Sequence, residues 1–543
     1  MEKRLIIAFL LSFVVLYFFR YLTPPAPPTA PDKAAVETQA PLPPQPEPPA
    51  QSSIPAPPPS SEETIAADDV KEEPVETPLY RAAVSNVGGV LKSFTLKAPY
   101  VDGENRPVEL IDSYAGRRVG YPLAVVSADP ALNKILSEAK YVVHREQTYR
   151  VSLEYRSGGL HSTKVFDFDP DKYLLKVSTD LRRNGIAVPH QIVWQGEFGD
   201  QSIPDVAAMR QAVYQSAAEF QRSVVTGIDE AQDVSSSLAG VEDQYFLAMF
   251  IRDKEGPTKI DKQDYQLPDL PDGTKGAAAQ GLYLAVPSTE PIAIYVGPKL
   301  ETSLNQADPR LGGVVNYGWF LFAAIAKPLL VLLRWIESYV GNWGWAIIVL
   351  TCLINMVLFP LKVKQQLAMQ KMQKLAPHLQ QLQEKYKKLK AGDPRRADVE
   401  KELMAMNKQQ LSGCLPLLLQ MPVFFGFLNM MGAAIELRGA PWILWIQDLS
   451  LPDHLYILPV SMGVAMYVQM KMSPTSPNPA QAKMMTRLTP VMVTLLFIWY
   501  GSASGLTLYW LTGNVISIGQ QWFIRKYWSD DDKSHPRGEA APA

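Results

Sequence analysis

Cysteine is nearly absent from this chain: its 543 residues hold two, Cys352 and Cys414, each in or beside an apolar stretch, so no disulfide framework is expected. Histidine is scarce too, and the six, at 144, 161, 190, 378, 454 and 535, lack metal-ligand spacing. No nucleophile elbow, Walker loop or dinucleotide fingerprint accompanies them. Neither sign of charge dominates: 52 Lys and Arg stand against 54 Asp and Glu, so bulk charge points to no partner and any electrostatic message lies in distribution. These absences exclude the common catalytic constellations, and the expectation is a protein that is not an enzyme and uses no cofactor and no metal.

Apolar residues, by contrast, make up 47% of the chain and are unevenly spread. Leu5 to Phe19 is apolar except for Ser12, follows Lys3 and Arg4, and runs into TPPAPPTAP rather than a small-residue cleavage site. Residues 1–22 therefore read as a transmembrane anchor with a cytoplasmic N-terminus rather than a cleaved signal. Residues 23–78 are rich in Pro, Ala, Glu and Ser and cannot build a core; an extended, disordered linker at roughly 3 Å per residue is expected. From 79 to 305 apolar and polar residues alternate, as in Val151, Leu153 and Tyr155, and Gly88 with Gly89 marks a tight turn. That pattern predicts a large two-sheet β-sandwich domain.

From Trp319 onward the apolar runs crowd together. Five spans are expected, at 343–361, 415–432, 456–470, 488–500 and 506–523. The first, nineteen residues by number, makes roughly 28 Å of helix, enough to cross a bilayer. A sixth apolar run, residues 319–341, carries Lys327, Pro328 and Arg334. If it crossed, the basic segment from Lys362 to Lys408 would face outside, against the positive-inside rule, so it reads as an amphipathic helix lying at the membrane interface. Residues 365–410 place Met372, Leu375, Leu379, Leu382, Tyr386 and Leu389 at alternating spacings of three and four, the seam of a cytoplasmic helical hairpin that turns at Gly392, Asp393 and Pro394. Its exposed lysines, Lys387 and Lys388 among them, suit anionic lipid or ribosomal RNA. Residues 529–543 form a short cytoplasmic tail.

Inside the spans sit Thr351, Asn355, Gln420, Asn429, Thr507, Thr512, Asn514, Ser517, Gln520 and Gln521, and none is charged. Any one of them can bond across helices. Together they point to a shared wet cavity with Lys362 and Lys364 at its mouth, and the lack of an intramembrane carboxylate argues against an ion-coupled pump. Asn355 is expected to face water there. The spans 456–470 and 488–500 fall short of the usual length, which would thin the bilayer beside the cavity, unless both helices extend through interfacial residues.

The stretches GCLPLLLQMPVFFGF, APWILWIQDLS, YILPVSMGV, KMSPT and SGLTLYWLTGN, with SNVGGVLKSF, GVEDQYF and YVGPK before them, resemble the YidC/Oxa1/Alb3 family of membrane protein insertases in its Gram-negative form. The resemblance implies an α-helical five-span insertase core behind an N-terminal signal-anchor helix, with a periplasmic β-supersandwich. It also implies an insertase and folding chaperone of the bacterial inner membrane, acting on nascent integral membrane proteins alone or with the Sec translocon; the basic cytoplasmic loops add the ribosome and anionic lipids as expected partners. In that family a hydrophilic groove open to cytoplasm and lipid receives the polar tail of the substrate. Carried onto this sequence, the groove would include Thr351, Asn355, Gln420, Thr512, Asn514 and Gln520, and the sliding surface Phe424, Met462, Tyr509 and Trp510. Two features depart from the family: Asn355 stands where relatives generally place an arginine, and the tail lacks a long basic extension. Two other readings compete, a membrane-anchored periplasmic protein that binds glycan or peptide, and a solute transporter.

Overall fold

The computed structural model describes residues 64–102, 106–202, 209–217, 219–269, 275–367, 381–382, 385–386, 399–402, 415–472 and 479–528. The anchor, the linker as far as residue 63, most of the hairpin with Lys387 and Lys388, and the tail lie outside the described residues, as does the side chain of Gln420. Residues 64–78 correct the linker expectation: Glu72–Glu76 is a strand, because Glu73, Val75 and Thr77 alternate inward and are buried as it pairs with Tyr80–Ser85.

The alternating segments do become strands, and every pairing between them is antiparallel. Glu72–Glu76, Tyr80–Ser85 and Val90–Leu96 form a three-stranded sheet, with Gly88 (φ 71°) and Gly89 (φ 58°) in the turn between the last two. The other strands form one 13-stranded sheet that branches at Phe246–Gln266, a strand of 21 residues. Its first part pairs with Ile292–Pro298, which leads on to Leu174–Arg183 and Leu160–Phe168; its second part pairs with Ala278–Pro287. Side chains from the branches and from the small sheet, among them Phe94, Phe166, Tyr295, Leu284 and Trp194, share one apolar core. A strand of that length is held on one edge by Gln232–Glu242, which pairs along both halves, and on the other by the two successive partners.

A lysine is among the polar residues buried in the β domain. Lys164 is 1% exposed, and its amine donates to the carbonyls of Gly89 (2.6 Å) and Leu123, both residues with positive φ. Two acceptors match the two N–H bonds of a neutral amine, whereas an ammonium would carry a third donor into an apolar setting. Burial accordingly pulls its pKa down to about 7.

The chain leaves the β domain through the short helix Glu301–Ala307 and a 3-10 turn at Pro309–Val314. A helical core follows: α1 (Phe320–Val340), α2 (Trp343–Val357), α3 (Phe359–Leu367), α4 (Leu415–Ala433), α5 (Ile457–Met472), α6 (Pro479–Trp499) and α7 (Ser504–Trp528). The α2 and α3 axes meet at 55°. The first span therefore does not run straight to Leu361. Leu358 closes α2, and Pro360 sits in the first turn of α3, where its missing N–H costs no helical bond. The span expected at 488–500 is also longer than read: α6 covers 21 residues, about 31 Å, because Pro490 is carried inside it and the polar turn with Lys483 and Arg487 belongs to it. Of the two runs expected to be short, α5, with 16 residues or about 24 Å, stays below the usual crossing length. Among the described residues no single helix is long and apolar enough to cross a membrane, whereas the bent pair α2–α3 passes the same test.

The lysine in the β core makes stability depend on pH. Its folded pKa lies below the ordinary lysine value, so between the two the unfolded chain binds the proton that the fold rejects, and stability rises with pH. Thermal unfolding in detergent is expected to shift upward between about pH 7 and about pH 9, and Lys164→Met to flatten that slope. An unchanged slope in the variant would assign the pH dependence elsewhere.

Candidate functional site

The polar residues of α2 and α7 meet at the α2–α3 bend. Thr351 is fully buried and donates its hydroxyl to the Ile347 carbonyl (2.6 Å), one turn back. Asn355 is 7% exposed; its amide nitrogen donates to the Thr351 carbonyl (2.7 Å) and its backbone carbonyl accepts from Gln520 Nε2 (3.1 Å). The remaining oxygen, Asn355 Oδ1, accepts from the ammonium of Lys362. Lys362 Nζ also donates to Ser517 Oγ (3.1 Å) and Gln520 Oε1 (3.2 Å) of α7.

This arrangement corrects the expectation for Asn355. It does not face water: its carboxamide is buried and committed on both sides. What reaches that position instead is a positive charge, delivered from seven residues further along by the bend that folds α3 back. On a straight helix a residue seven on from Asn355 would stand two turns away. The three oxygens around the Lys362 ammonium are all neutral, and among the described residues no carboxylate pairs with it.

The other expected groove residues scatter. Asn514 is 6% exposed, with Nδ2 directed at the Met462 carbonyl (3.5 Å), so it bonds across to α5. Thr512 is half-buried, and Lys364 is exposed at the end of the bent pair. Gln520 alone of the α7 candidates joins Asn355 directly.

The expected sliding residues form a packed seam. Phe427 of α4 stacks on Tyr509 of α7 with ring centroids 3.7 Å apart, and Trp510 receives Phe424 and Phe497 edge-on, each at 5.0 Å. Met462 is fully buried and Tyr509 is 7% exposed, so those two sit inside the core, while Phe424 and Trp510 are half-buried at its edge. The outward apolar surface is elsewhere: Val460, Val464 and Tyr467 on α5, Leu488, Val491 and Leu495 on α6, and Leu428 on α4. The signal for it was present in the sequence. These residues recur at three- and four-residue spacing on the face opposite Met462, so α5 is apolar on both faces.

Two family models match the chain: residues 335–531 fit one described as 60Kd inner membrane protein, and residues 73–332 fit the YidC periplasmic domain. The membrane protein insertase YidC of Syntrophus aciditrophicus is 31% identical, over 97% of this chain and the full length of that protein. The chain belongs to the YidC family. The YidC insertase of Citrifermentans bemidjiense is 33% identical over 98% of this chain, again along its whole length. Among solved structures, an active YidC insertase with its first transmembrane domain resolved covers 86% of this chain and 94% of its own, at 18% identity and a TM-score of 0.34. The β domain described above falls in the YidC periplasmic-domain match, and the Asn355–Lys362 site falls in the inner-membrane match.

Close packing of α5 on α6 depends on Gly463. A Cβ there would meet Thr494 Oγ1 at 2.1 Å, and that hydroxyl is itself tied to the Pro490 carbonyl (2.8 Å). Gly463→Ala is expected to lower stability by about 1–3 kcal/mol, read as a lower melting temperature in detergent. Gly519→Ala on α7, where nothing lies within 4 Å, should leave the melting temperature unchanged or raise it through helix propensity.

Proposed function

We propose that this chain is a membrane protein insertase and folding chaperone of the bacterial inner membrane, and that Lys362 carries the fixed charge of its groove. Full-length relatives named as insertases support the first part, and they do not favour the glycan-binding or transporter readings. The carrying observation for the second is the ammonium held by the neutral oxygens of Asn355, Ser517 and Gln520, with no carboxylate paired to it among the described residues.

In this reading the bent pair α2–α3 and helices α4 to α7 make the five crossings, with Lys364, Lys387 and Lys388 on the cytoplasmic side. α1 lies at the outer interface: Trp335, Tyr339 and Val331 are exposed, whereas Ala326, Leu330, Leu333 and Ile336 pack inward. The β domain sits in the periplasm, and both termini in the cytoplasm. Nascent integral membrane proteins are the substrate, presented by the ribosome or shared with the Sec translocon, and anionic lipid meets the basic loops.

The physical work is solvation. A polar tail leaving water for hydrocarbon loses its hydrogen bonds, at several kcal/mol for each unpaired group. Thr512, Gln520, Ser517 and the Lys362 ammonium offer substitutes, and a carboxylate in the tail exchanges the three neutral oxygens of Lys362 for an opposite charge. The hydrophobic segment of the substrate meanwhile lies on the outward stripe of α5 and α6 and beside Phe424, where leaving the site for lipid exposes no apolar area to water. Because α5 is short, the apolar layer it spans is thin at that point.

Two outcomes test this. A photo-crosslinking residue at Phe424 or Val460 is expected to capture a short nascent membrane protein, and one at buried Met462 to capture little; no adduct at either exposed position would overturn the sliding surface. Lys362→Met should slow insertion of a substrate with an acidic tail by about ten-fold, the equivalent of one charge-assisted hydrogen bond, and leave a neutral-tailed substrate nearly unaffected. Equal slowing of both in a reconstituted insertion assay would remove the charge from the mechanism.

A further inference from the structure

Three stretches of the sequence have no part in the groove: GVEDQYF at 240–246, YVGPK at 295–299 and the loop IELRG at 435–439 that follows α4. The fold brings them together. Ile435 leaves the helical part and joins the apolar core of the β domain, where it is 2% exposed. Three residues on, Arg438 is buried between the two parts. Its guanidinium pairs with Asp200, donates to the Val101 carbonyl (3.1 Å), and lies 5.7 Å from the Tyr245 ring and 5.5 Å from the Phe246 ring.

The socket that receives Arg438 is itself tied down. Asp243 accepts from the backbone N–H groups of Asp200 (2.9 Å), Tyr245 (2.7 Å) and Phe246 (2.6 Å), which fixes both the carboxylate partner and the rings. Lys299 donates to the Asp243 carbonyl (2.6 Å) and to Glu242 (3.3 Å), anchoring the point where the chain departs for α1. On the helical side Gln244 reaches the Gly432 carbonyl (3.4 Å) at the end of α4, and Glu436 pairs with Arg334 of α1 (2.6 Å).

We propose that this socket is a positioning device for the insertase core: the β domain holds the outer end of α4, through Ile435 and Arg438, against α1. It rests on the insertase reading above. The outer end of α4 is fixed in a β domain, and the aromatic seam of Phe427 on Tyr509 is set by that fixed end, so the domain acts on insertion without touching substrate. Arg438 is a positioning residue, acting through α4.

The test removes the joint without leaving an orphaned charge. In full-length protein with Cys352 and Cys414 changed to Ser, the double variant Asp200→Leu with Arg438→Met is reconstituted and its insertion rate measured with a neutral-tailed substrate. The expected result is a loss of about ten-fold with the protein folded and monodisperse, since misplacing a working surface by an ångström or so costs on that scale. Cysteines then placed at Gln244 and Gly432, joined by a short bis-maleimide, should restore most of the rate, which a merely destabilised protein would not allow. A double variant that inserts at the parental rate, or one whose loss the cross-link leaves unchanged, overturns the proposal. If the parental protein itself fails to insert, it is the insertase reading that falls.

Discussion

A cation withdrawn from water must be met by oxygen, and this chain meets that constraint in three ways. Lys164 is given two backbone carbonyls and a dry core, so the neutral amine is the form that fits and the residue becomes a strut between two left-handed turns. Arg438 is given a carboxylate, a carbonyl and two aromatic faces, so its charge is neutralised where it stands and the contact is closed. Lys362 is given three neutral oxygens, so it is solvated without being neutralised. Removing a partner from a closed pair leaves a buried charge, whereas adding one to an open site relieves it. The same side-chain chemistry thus yields a strut, a joint and a binding position, according to what the surrounding fold supplies.

Much of the fold follows from period alone. Alternation marked the strands, the glycine pair marked their turn, and the apolar runs marked the core helices. Two things did not follow. Phe246–Gln266 runs for 21 residues, beyond any ordinary strand: Gln232–Glu242 pairs along both its halves, while on the other edge the partner changes from Ile292–Pro298 to Ala278–Pro287. The lower half of α6 was lost to the polar residues Lys483, Thr486 and Arg487, which end a hydropathic run without ending a helix. Hydropathy measures what a segment can bury; hydrogen bonding decides how far it stays helical.

The site was half legible for a related reason. Asn355 stood out as a carboxamide at apolar depth and Lys362 as a cation at the mouth of the expected cavity, but a straight span to Leu361 would hold the two about two turns apart. Pro360 instead starts a second helix, and the 55° bend it permits is what returns Lys362 to α7. Local sequence carries the need for a partner; only the backbone path carries its identity. Met462 and Tyr509 illustrate the converse, since their motifs mark the right helices while the helical phase turns those two residues inward and leaves Val460 and Val464 outside.

One helix joins these threads. α7 carries Tyr509 and Trp510 in its first turns, packed on α4 and α6, and Ser517 with Gln520 two turns later, bonded to Lys362. An aromatic seam and a polar cradle on one rigid element cannot move independently. If α4 shifts, Phe427 and Phe424 carry the shift to the α7 aromatics, and the cradle below moves with them relative to Lys362. Because α4 is held at Ile435 and Arg438 by the β domain, the distance between the charge and its oxygens is set in part from the far side of the molecule. A rigid α7 is therefore the element through which an external joint and an internal charge can be coupled, with no ligand shared between them.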